Sequence, residues 1–214
     1  YEFTMPDGKV TVKPVFADSS TSCPGGIICP THEMSDVPLD AWYHDVVDTA
    51  VDSGWMNGTG NGQFTPRGTT TRGMLAAVLY RMAGSPKAPK GTFADVESSM
   101  YYADAVAWAA ENGIVTGLDA TTYAPAHSIT REQLAAMLYR MAQYNGQASA
   151  GSADALNGFA DRNAVHDWSK DALCWAIENG IVTGKGNAIL DPTGTATRAE
   201  VAAMLTRFHN LTAK

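Results

Sequence analysis

The sequence predicts an all-α fold in which three tandem helical hairpins pack as a pseudo-threefold bundle, with a short β remnant at the N-terminus. Three observations support this prediction. A pattern of glycine, aromatic, proline and arginine positions recurs three times along the 214 residues, at intervals of about sixty residues. Apolar residues recur at helical spacing on both sides of each repeated glycine. Hydrophobic residues make up 45% of the chain, which is enough for a buried core.

The repeat is defined by positions at fixed offsets from one glycine in each unit. An aromatic residue lies twelve residues before this glycine and a proline lies twelve residues after it. Six residues beyond the proline is an arginine that follows a threonine. The glycines are Gly54, Gly113 and Gly180; the aromatics are Trp42, Tyr101 and Trp168; the prolines are Pro66, Pro125 and Pro192; and the arginines are Arg72, Arg131 and Arg198.

Each unit begins with a helix of about three turns that ends at the repeated glycine. In the first unit, apolar residues from Trp42 to Val51 recur at helical spacing, and Gly54 then provides a stop that tolerates positive φ. A tight, partly buried loop follows, with two apolar residues, a polar residue and a second glycine. These second glycines are Gly58, Gly117 and Gly184.

The second helix of each unit is predicted to begin at the threonine before the arginine. Thr130 with Gln133, and Thr197 with Glu200, fit the capping-box pattern, whereas Thr71 has Met74 in place of the polar partner. Apolar stripes follow over residues 75–82, 134–141 and 201–208. A hairpin of this size cannot bury its own apolar face, so the three stripes are expected to pack against one another.

These elements place the three units at residues 34–84, 93–143 and 159–211, with linkers between them. Within residues 1–17, Val10, Val12 and Val15 alternate with polar residues after an Asp7-Gly8 turn signal, which predicts a β-hairpin. We expect residues 1–20 to be the tail of an upstream β domain. Residues 21–33 are expected to be a linker. Since the chain begins inside a strand pattern, we expect it to be part of a longer polypeptide whose upstream domain is its covalent partner.

Charge and motif content exclude several classes of function. Fifteen Lys and Arg against 22 Asp and Glu give a net charge of -7, which argues against nucleic acid as a partner. No apolar run approaches the ~18 to 20 residues needed for membrane insertion. Hydrolase, zinc-protease and phosphate-loop motifs are missing, which predicts no enzyme and no cofactor. The histidines share no repeat position, which predicts no metal site: His32, His44, His127, His166 and His209.

The cysteines leave one question open. Cys23 and Cys29 flank Pro24, Gly25 and Gly26, and a turn there can bring the two thiols close enough for a disulfide. The sequence is equally compatible with two thiols. Cys174 lies in an apolar helical pattern and is expected to be a small buried hydrophobe.

Arg72, Arg131 and Arg198 are the most informative candidate site residues. Each lies in the first turn of a predicted helix, where the macrodipole disfavours a cation by some tenths of a kcal/mol up to about 1 kcal/mol. One explanation is an anion site, in which helix amides, a threonine hydroxyl and the guanidinium bind a carboxylate. The alternative is an ion pair with an acid of a neighbouring unit. The acids considered are Asp36, Asp95 and Asp161.

Other repeated positions carry two interpretations each. Trp42, Tyr101 and Trp168 suit either stacking on sugar faces or packing in the core. The three repeated aspartates suit either capping of the following helix or accepting hydrogen bonds from sugar hydroxyls. The second glycines suit either close approach to a ligand or a turn with positive φ. The arginines nine residues into each second helix suit a structural role at its negative end: Arg81, Arg140 and Arg207.

The repeated motifs resemble the S-layer homology (SLH) domain family. The resemblance covers residues 34–211 and rests on four elements. They are Phe93-Ala94-Asp95-Val96 and Phe159-Ala160-Asp161 at unit starts, Trp42-Tyr43 at the first helix, the Gly-apolar-apolar-Thr-Gly loop, and Thr197-Arg198-Ala199-Glu200. Departures occur at Met34-Ser35-Asp36, at Gly73-Met74, at Glu132-Gln133 and at Ser169, where the family pattern has a tyrosine. The first unit departs furthest.

The resemblance implies a non-catalytic module that anchors a secreted bacterial protein at the cell wall or S-layer surface. It implies three SLH units with grooves between them that bind cell-wall polysaccharide, often a pyruvylated secondary polymer. The proposed ligand-binding residues are the first-turn arginines, the repeated aspartates, the repeated aromatics and the second glycines. The alternative is a structural or assembly module that mediates protein-protein or lattice contacts at the cell surface.

Overall fold

The computed structural model describes residue 23 and residues 28–213. Within this part the chain is mostly helical, and its β contacts are isolated bridges rather than strands. The α-helices are α1 (His44–Asp52), α2 (Arg72–Met82), α3 (Ala103–Glu111), α4 (Arg131–Tyr144), α5 (Lys170–Glu178) and α6 (Arg198–Thr212). Short 3-10 helices span Ala153–Gly158, Arg162–Ala164 and Asp167–Ser169. The predicted β remnant lies outside the described residues.

Each unit contributes one short and one longer helix, as the periodicity predicts. The short helices α1, α3 and α5 begin two residues after the repeated aromatic, because the preceding turn is not α-helical. They end before glycines with φ of 69°, 69° and 67°, so the predicted stops are confirmed. None of the helices in the described residues has the length and apolarity needed to span a membrane.

Threonine caps fix the start of each longer helix and therefore the place of each arginine. Thr130 and Thr197 form complete capping boxes with Gln133 and Glu200. Thr71 accepts a hydrogen bond from the Met74 amide at 3.2 Å. As predicted, no capping box forms there, because the Met74 side chain cannot accept a hydrogen bond from the Thr71 amide. The helices α2, α4 and α6 consequently begin at the arginine itself.

The longer helix of each unit packs on the short helix of another unit. Helix α2 packs on α3, α4 packs on α5, and α6 returns to pack on α1. The side chains of Leu75, Leu134 and Val201 are fully buried in this core. Each apolar stripe is therefore buried mainly against a short helix of another unit, rather than against the other stripes as the sequence predicts.

Three backbone segments meet in front of the longer helices and form a closed ring of hydrogen bonds. The Thr70 amide donates to Ala196 O at 3.2 Å, the Ala196 amide donates to Ile129 O at 3.0 Å, and the Ile129 amide donates to Thr70 O at 2.8 Å. Each segment comes from a different unit. The three units are therefore joined through main-chain groups as well as through the core.

Candidate ligand grooves

The first-turn arginines are buried, and each reaches into another unit. Their relative exposures are 6%, 4% and 9% for Arg72, Arg131 and Arg198. The Nε groups donate to main-chain carbonyls across the unit boundary, Arg72 to Tyr123 O at 2.9 Å and Arg198 to Phe64 O at 2.7 Å. Arg131 makes the same bond to Leu190 O at 2.9 Å.

A second hydrogen bond ties each guanidinium to the neighbouring unit. Arg72 Nη2 donates to Thr116 O at 2.8 Å, and Arg198 Nη2 donates to Asn57 O at 2.6 Å. Arg131 differs, because its Nη1 donates to the carboxylate of Glu200 at 3.1 Å. Burial lowers the pKa of Arg198 below its ordinary value. The carbonyls explain how a buried cation is tolerated at a positive helix end.

The helix-start amides are also used between units. The Arg72 amide donates to His127 O and the Gly73 amide donates to Pro125 O, both at 2.9 Å. The other two longer helices make equivalent bonds to the main chain of the unit that their arginine contacts. Protein carbonyls therefore accept from the first two amides of each longer helix, so these amides do not point freely into a groove.

The repeated aspartates do not pair with the arginines. The Asp95 carboxylate accepts from the Tyr123 and Ala124 amides at 2.8 and 2.7 Å. Asp36 and Asp161 hold the equivalent loops of their own units in the same way. Burial raises the pKa of Asp95, but these amide bonds outweigh it and hold the pKa below its ordinary value. The aspartates thus support loops that include left-handed residues such as Ala124, whose φ is 59°.

A groove forms beside Arg72, with residues from all three units, and we call it the Arg72 groove. It encloses about 350 Å³ and is lined by Arg72, Val115, Thr116, Gly117, Leu118, Gln133, Ala136, Met137, Arg140 and Trp168. Trp168 lies at the edge of this groove and is 52% exposed. Arg140 is half-buried and, among the described residues, makes no hydrogen bond or ion pair. Burial and the nearby charge of Arg72 both lower the pKa of Arg140.

A second groove of about 350 Å³ repeats this plan beside Arg131, and we call it the Arg131 groove. Its lining includes Trp42, Arg131, residues 181–185, Glu200, Ala203, Met204 and Arg207. Trp42 is 67% exposed. Lys185 lies 3.6 Å from Glu200 and 2.7 Å from Asp191. Arg207 donates to Ile181 O at 3.2 Å, so this arginine supports the loop of its own unit.

The corresponding residues of the third boundary are also brought together. Tyr101 is 64% exposed and lies close enough to Arg81 and Arg198 for both charges to affect its titration. Burial raises the pKa of Tyr101, and the two arginines oppose that shift. Arg81 donates to Trp55 O at 3.0 Å. All three repeated aromatics are therefore exposed rather than part of the core.

The second glycines are required by space inside the protein. A Cβ at Gly117 would lie 2.3 Å from Asp119 O, and one at Gly58 would lie 2.8 Å from Gln63 O. Gly184 adds a φ of 78°. The loops are thus too tight for a side chain whether or not a ligand is bound.

A buried glutamate connects the second and third units. Glu132 accepts from Ser169 Oγ at 2.8 Å and lies 2.7 Å from His166 Nδ1. In the first unit Gly73 takes the place of this glutamate, and a Cβ there would lie 3.0 Å from the Tyr102 ring. Ser169 corresponds to Tyr102, so the smaller residue leaves room for the glutamate. These departures from the family pattern are paired across the boundary.

A cluster of potential metal ligands that the sequence did not predict lies outside the grooves. Cys23, Cys29, His44 and Asp48 bring potential metal-ligand atoms within 4.8 Å of one another. No disulfide joins Cys23 and Cys29, so the bridge that the sequence left open is not formed. The i, i+4 spacing of His44 and Asp48 on a predicted helix was the available signal. Cys174 is buried, as predicted.

Comparison with known proteins identifies the same three repeated units. The sequence model of the S-layer homology domain matches residues 33–73, 92–135 and 158–202, which is more than half of the chain. A surface-layer 125 kDa protein of Lysinibacillus sphaericus is 30% identical over 172 residues, covering 79% of this chain and 14% of that protein. An amylopullulanase of Thermoanaerobacterium thermosulfurigenes is 32% identical over 167 residues, covering 78% of this chain and 9% of that protein. A cellulosome-anchoring protein of Acetivibrio thermocellus is 24% identical over 158 residues, with coverages of 72% and 35%.

Proposed function

The chain belongs to the S-layer homology domain family, and on that premise we propose that it anchors its polypeptide by binding secondary cell-wall polysaccharide in the grooves between its units. The family and its surface-layer relatives place such chains at the cell wall or S-layer surface. The family domain is a non-catalytic anchor, and relatives such as the amylopullulanase contain it as one part of a longer protein.

We propose a pseudo-threefold arrangement of three units, at residues 34–84, 93–143 and 159–211. The cyclic packing of α2 on α3, α4 on α5 and α6 on α1 supports it. So does the ring of main-chain hydrogen bonds in which each unit both donates and accepts. We further propose that residues 1–20 are the tail of an upstream domain and that residues 21–33 link this domain to the first unit.

The observation that carries the binding proposal is the unpaired Arg140 beside Arg72 in a groove without acidic lining. Two guanidiniums in one partly buried groove repel each other, and an anion bound between them offsets that repulsion. A pyruvyl carboxylate matches the bidentate geometry of a guanidinium. The shared sign of the charges therefore favours an acidic glycan over a neutral one.

The exposed aromatic at the edge of each groove is proposed to stack on a sugar ring. Trp42 and Trp168 line the two grooves, and Tyr101 takes the corresponding place at the third boundary. Apolar C–H faces of sugars pack on aromatic rings. In this proposal Arg72, Arg131 and Arg198 contact the ligand from the groove wall, with Gly58, Gly117 and Gly184 at its base. Asp36, Asp95 and Asp161 act through the loops they hold.

The test compares cosedimentation with purified cell walls and with walls from which the secondary polysaccharide has been extracted. We expect binding to intact walls and its loss on the extracted ones. Calorimetry with a pyruvylated wall oligosaccharide and its depyruvylated form then tests the carboxylate directly. Equal binding to both wall preparations would contradict the proposal, and so would release of reducing sugar above a buffer control.

An assembly module is the second candidate, since the first-turn arginines serve cohesion between units. In that case the exposed aromatics contact protein, and the grooves need no glycan. Sedimentation velocity of the isolated chain separates the two candidates. Self-association that depends on Trp42 or Trp168, together with wall binding that survives polysaccharide extraction, favours assembly.

A further inference from the structure

We propose that Cys23, Cys29, His44 and Asp48 form a zinc site that fastens the segment before the first unit to helix α1. One potential ligand atom of each residue lies within 4.8 Å of those of the other three. Cys29, His44 and Asp48 are buried, and Cys23 lies half-buried at the edge. Two sulfurs, an imidazole nitrogen and a carboxylate oxygen make a complete tetrahedral donor set for Zn²⁺.

The spacing of the donor atoms fits a single ion. Cys29 Sγ lies 3.5 Å from His44 Nε2 and 3.3 Å from Asp48 Oδ2, and the nitrogen and oxygen are 3.3 Å apart. Zinc bonds of about 2.0 to 2.3 Å at tetrahedral angles separate neighbouring ligand atoms by about 3.3 to 3.8 Å. The three buried donors therefore already form one face of the tetrahedron, and Cys23 provides the fourth donor.

Outer hydrogen bonds orient these ligands as in established zinc sites. His44 Nδ1 lies 3.1 Å from Val37 O, and a carbonyl only accepts, so the proton belongs on Nδ1. Nε2 is then directed at the cluster with its lone pair. Thr31 Oγ1 donates to Asp48 Oδ1 at 2.5 Å and fixes that carboxylate. Such partners commonly tune metal affinity.

The cluster belongs to the first unit alone. The position of Asp48 corresponds to Ala107 in α3 and to Cys174 in α5, both buried. A carboxylate in this position is costly to bury unless a cation or several donors offset its charge. Only in the first unit does the preceding segment bring two cysteines against the helix. Because the other units pack the same position with small side chains, packing alone does not explain Asp48.

A disulfide does not account for these neighbours equally well. Thiol groups of Cys23 and Cys29 hydrogen-bond to Asp48, and a bridge would remove both donors without adding charge. Zinc binding instead releases the two thiol protons to solvent, forms two S–Zn bonds and involves no change of redox state. The dication then offsets the charges of the two thiolates and the carboxylate.

The test uses the full chain, prepared under reducing conditions, stripped of metal with a chelator and titrated with Zn²⁺ or Co²⁺. We expect one equivalent of either ion. The cobalt form should show thiolate-to-metal charge transfer in the near ultraviolet and visible bands of a tetrahedral ion. Cys29→Ser and His44→Ala should lose stoichiometric binding. Cys174→Ser, a buried cysteine in the third unit, is the matched control and should bind like wild type.

A subtler variant guards against loss of folding. Thr31→Val keeps all four ligands and removes only the hydroxyl that orients Asp48, so zinc affinity should fall about 10- to 100-fold. Circular dichroism verifies that each variant keeps its helical content. The proposal is overturned if the wild-type chain binds less than one equivalent, if the cobalt spectrum lacks thiolate bands, or if folded Cys29→Ser binds zinc as tightly as wild type.

Discussion

The Arg72 groove and the Arg131 groove share one plan but differ in how their charges are paired. Each combines a first-turn arginine of one unit, a loop and second-helix arginine of the next, and an exposed tryptophan of the third. In the Arg131 groove the carboxylate of Glu200 accepts from Arg131 at 3.1 Å. Gln133 occupies the same place in the Arg72 groove and is neutral. The Arg72 groove therefore has two guanidiniums and no acid in its lining.

The difference depends on a single cap residue with two tasks. Gln133 and Glu200 each complete the capping box of their own helix, and either side chain can do so. Only Glu200 also neutralises an arginine of the preceding unit. A repeat protein can thus vary the charge of a groove without changing the helix start that builds it. We expect the Arg72 groove to bind an anionic ligand more tightly.

The largest effect is expected from removal of Arg140. Arg140→Ala should cost the Arg72 groove about 1.5 to 3 kcal/mol of affinity for a carboxylate-bearing oligosaccharide, or about 10- to 150-fold. The melting temperature should stay the same or rise, because the repulsion between Arg140 and Arg72 is removed.

Arg207→Ala is the matched control and should lower the melting temperature, since Arg207 donates to Ile181 O. Calorimetry and thermal melts measure both. Unchanged affinity in Arg140→Ala would remove the Arg72 groove as the stronger site.

The exposed tryptophans give a smaller and more even effect. Trp168→Ala and Trp42→Ala should each weaken their own groove by about 0.5 to 1.5 kcal/mol, as expected for aromatic contacts. Stability should change little, because the two rings are 52% and 67% exposed. Each variant is titrated with the same oligosaccharide and compared with wild type. A large drop in melting temperature would show that the rings serve packing instead.

Exchange of the cap residues tests the comparison directly. Glu200→Gln should strengthen anion binding in the Arg131 groove, and Gln133→Glu should weaken it in the Arg72 groove. Each change should be about 0.2 to 1 kcal/mol, in the range of partly exposed ion pairs. Both variants keep a capping residue, so the helix starts are preserved. Shifts of the same sign in the two variants would contradict our account of the charges.

The smallest difference is expected in acid. The pKa values of Asp95 and Asp161 are both held below the ordinary value by loop amides, so the stability they contribute is present at neutral pH and is lost as pH falls through the folded pKa. Arg131 further lowers the pKa of Asp161, whereas Asp119 raises that of Asp95. On acidification, the loop that Asp95 holds should therefore lose protection before the loop that Asp161 holds. Amide hydrogen exchange across residues 123–124 and 190–191 measures this order, with Asp95→Asn as the pH-insensitive control.

Local features of the fold were predictable because they depend on neighbours in sequence. Gly54 and Thr130 act within one turn of the chain, and the helix stop and the capping box are found where predicted. Arg72 was correctly placed at a helix start for the same reason. Its partners, Tyr123 O and Thr116 O, are main-chain atoms 51 and 44 residues away, and no pattern of side chains identifies a carbonyl.

The candidate site was harder to predict because charge pairing is decided across units. Position along the helix suggested a structural role for both Arg140 and Arg207, yet only Arg207 has a loop carbonyl as partner. The Cys23 and Asp48 cluster was missed because its members come from two segments and share no repeat position. Ser169 is likewise explained by a residue of another unit, because its hydroxyl donates to the buried carboxylate of Glu132.

The ring of Thr70, Ile129 and Ala196 has a consequence for folding kinetics. It closes only when segments from the first and last units meet, and Arg198 then bonds to Phe64 across 134 residues of chain. Contacts of such large sequence separation slow the search for the native state. They also make unfolding concerted, because no unit can leave without breaking bonds to both others. A module built in this way should hold its native state for long periods under a steady pull on one terminus, since release requires the whole ring to open.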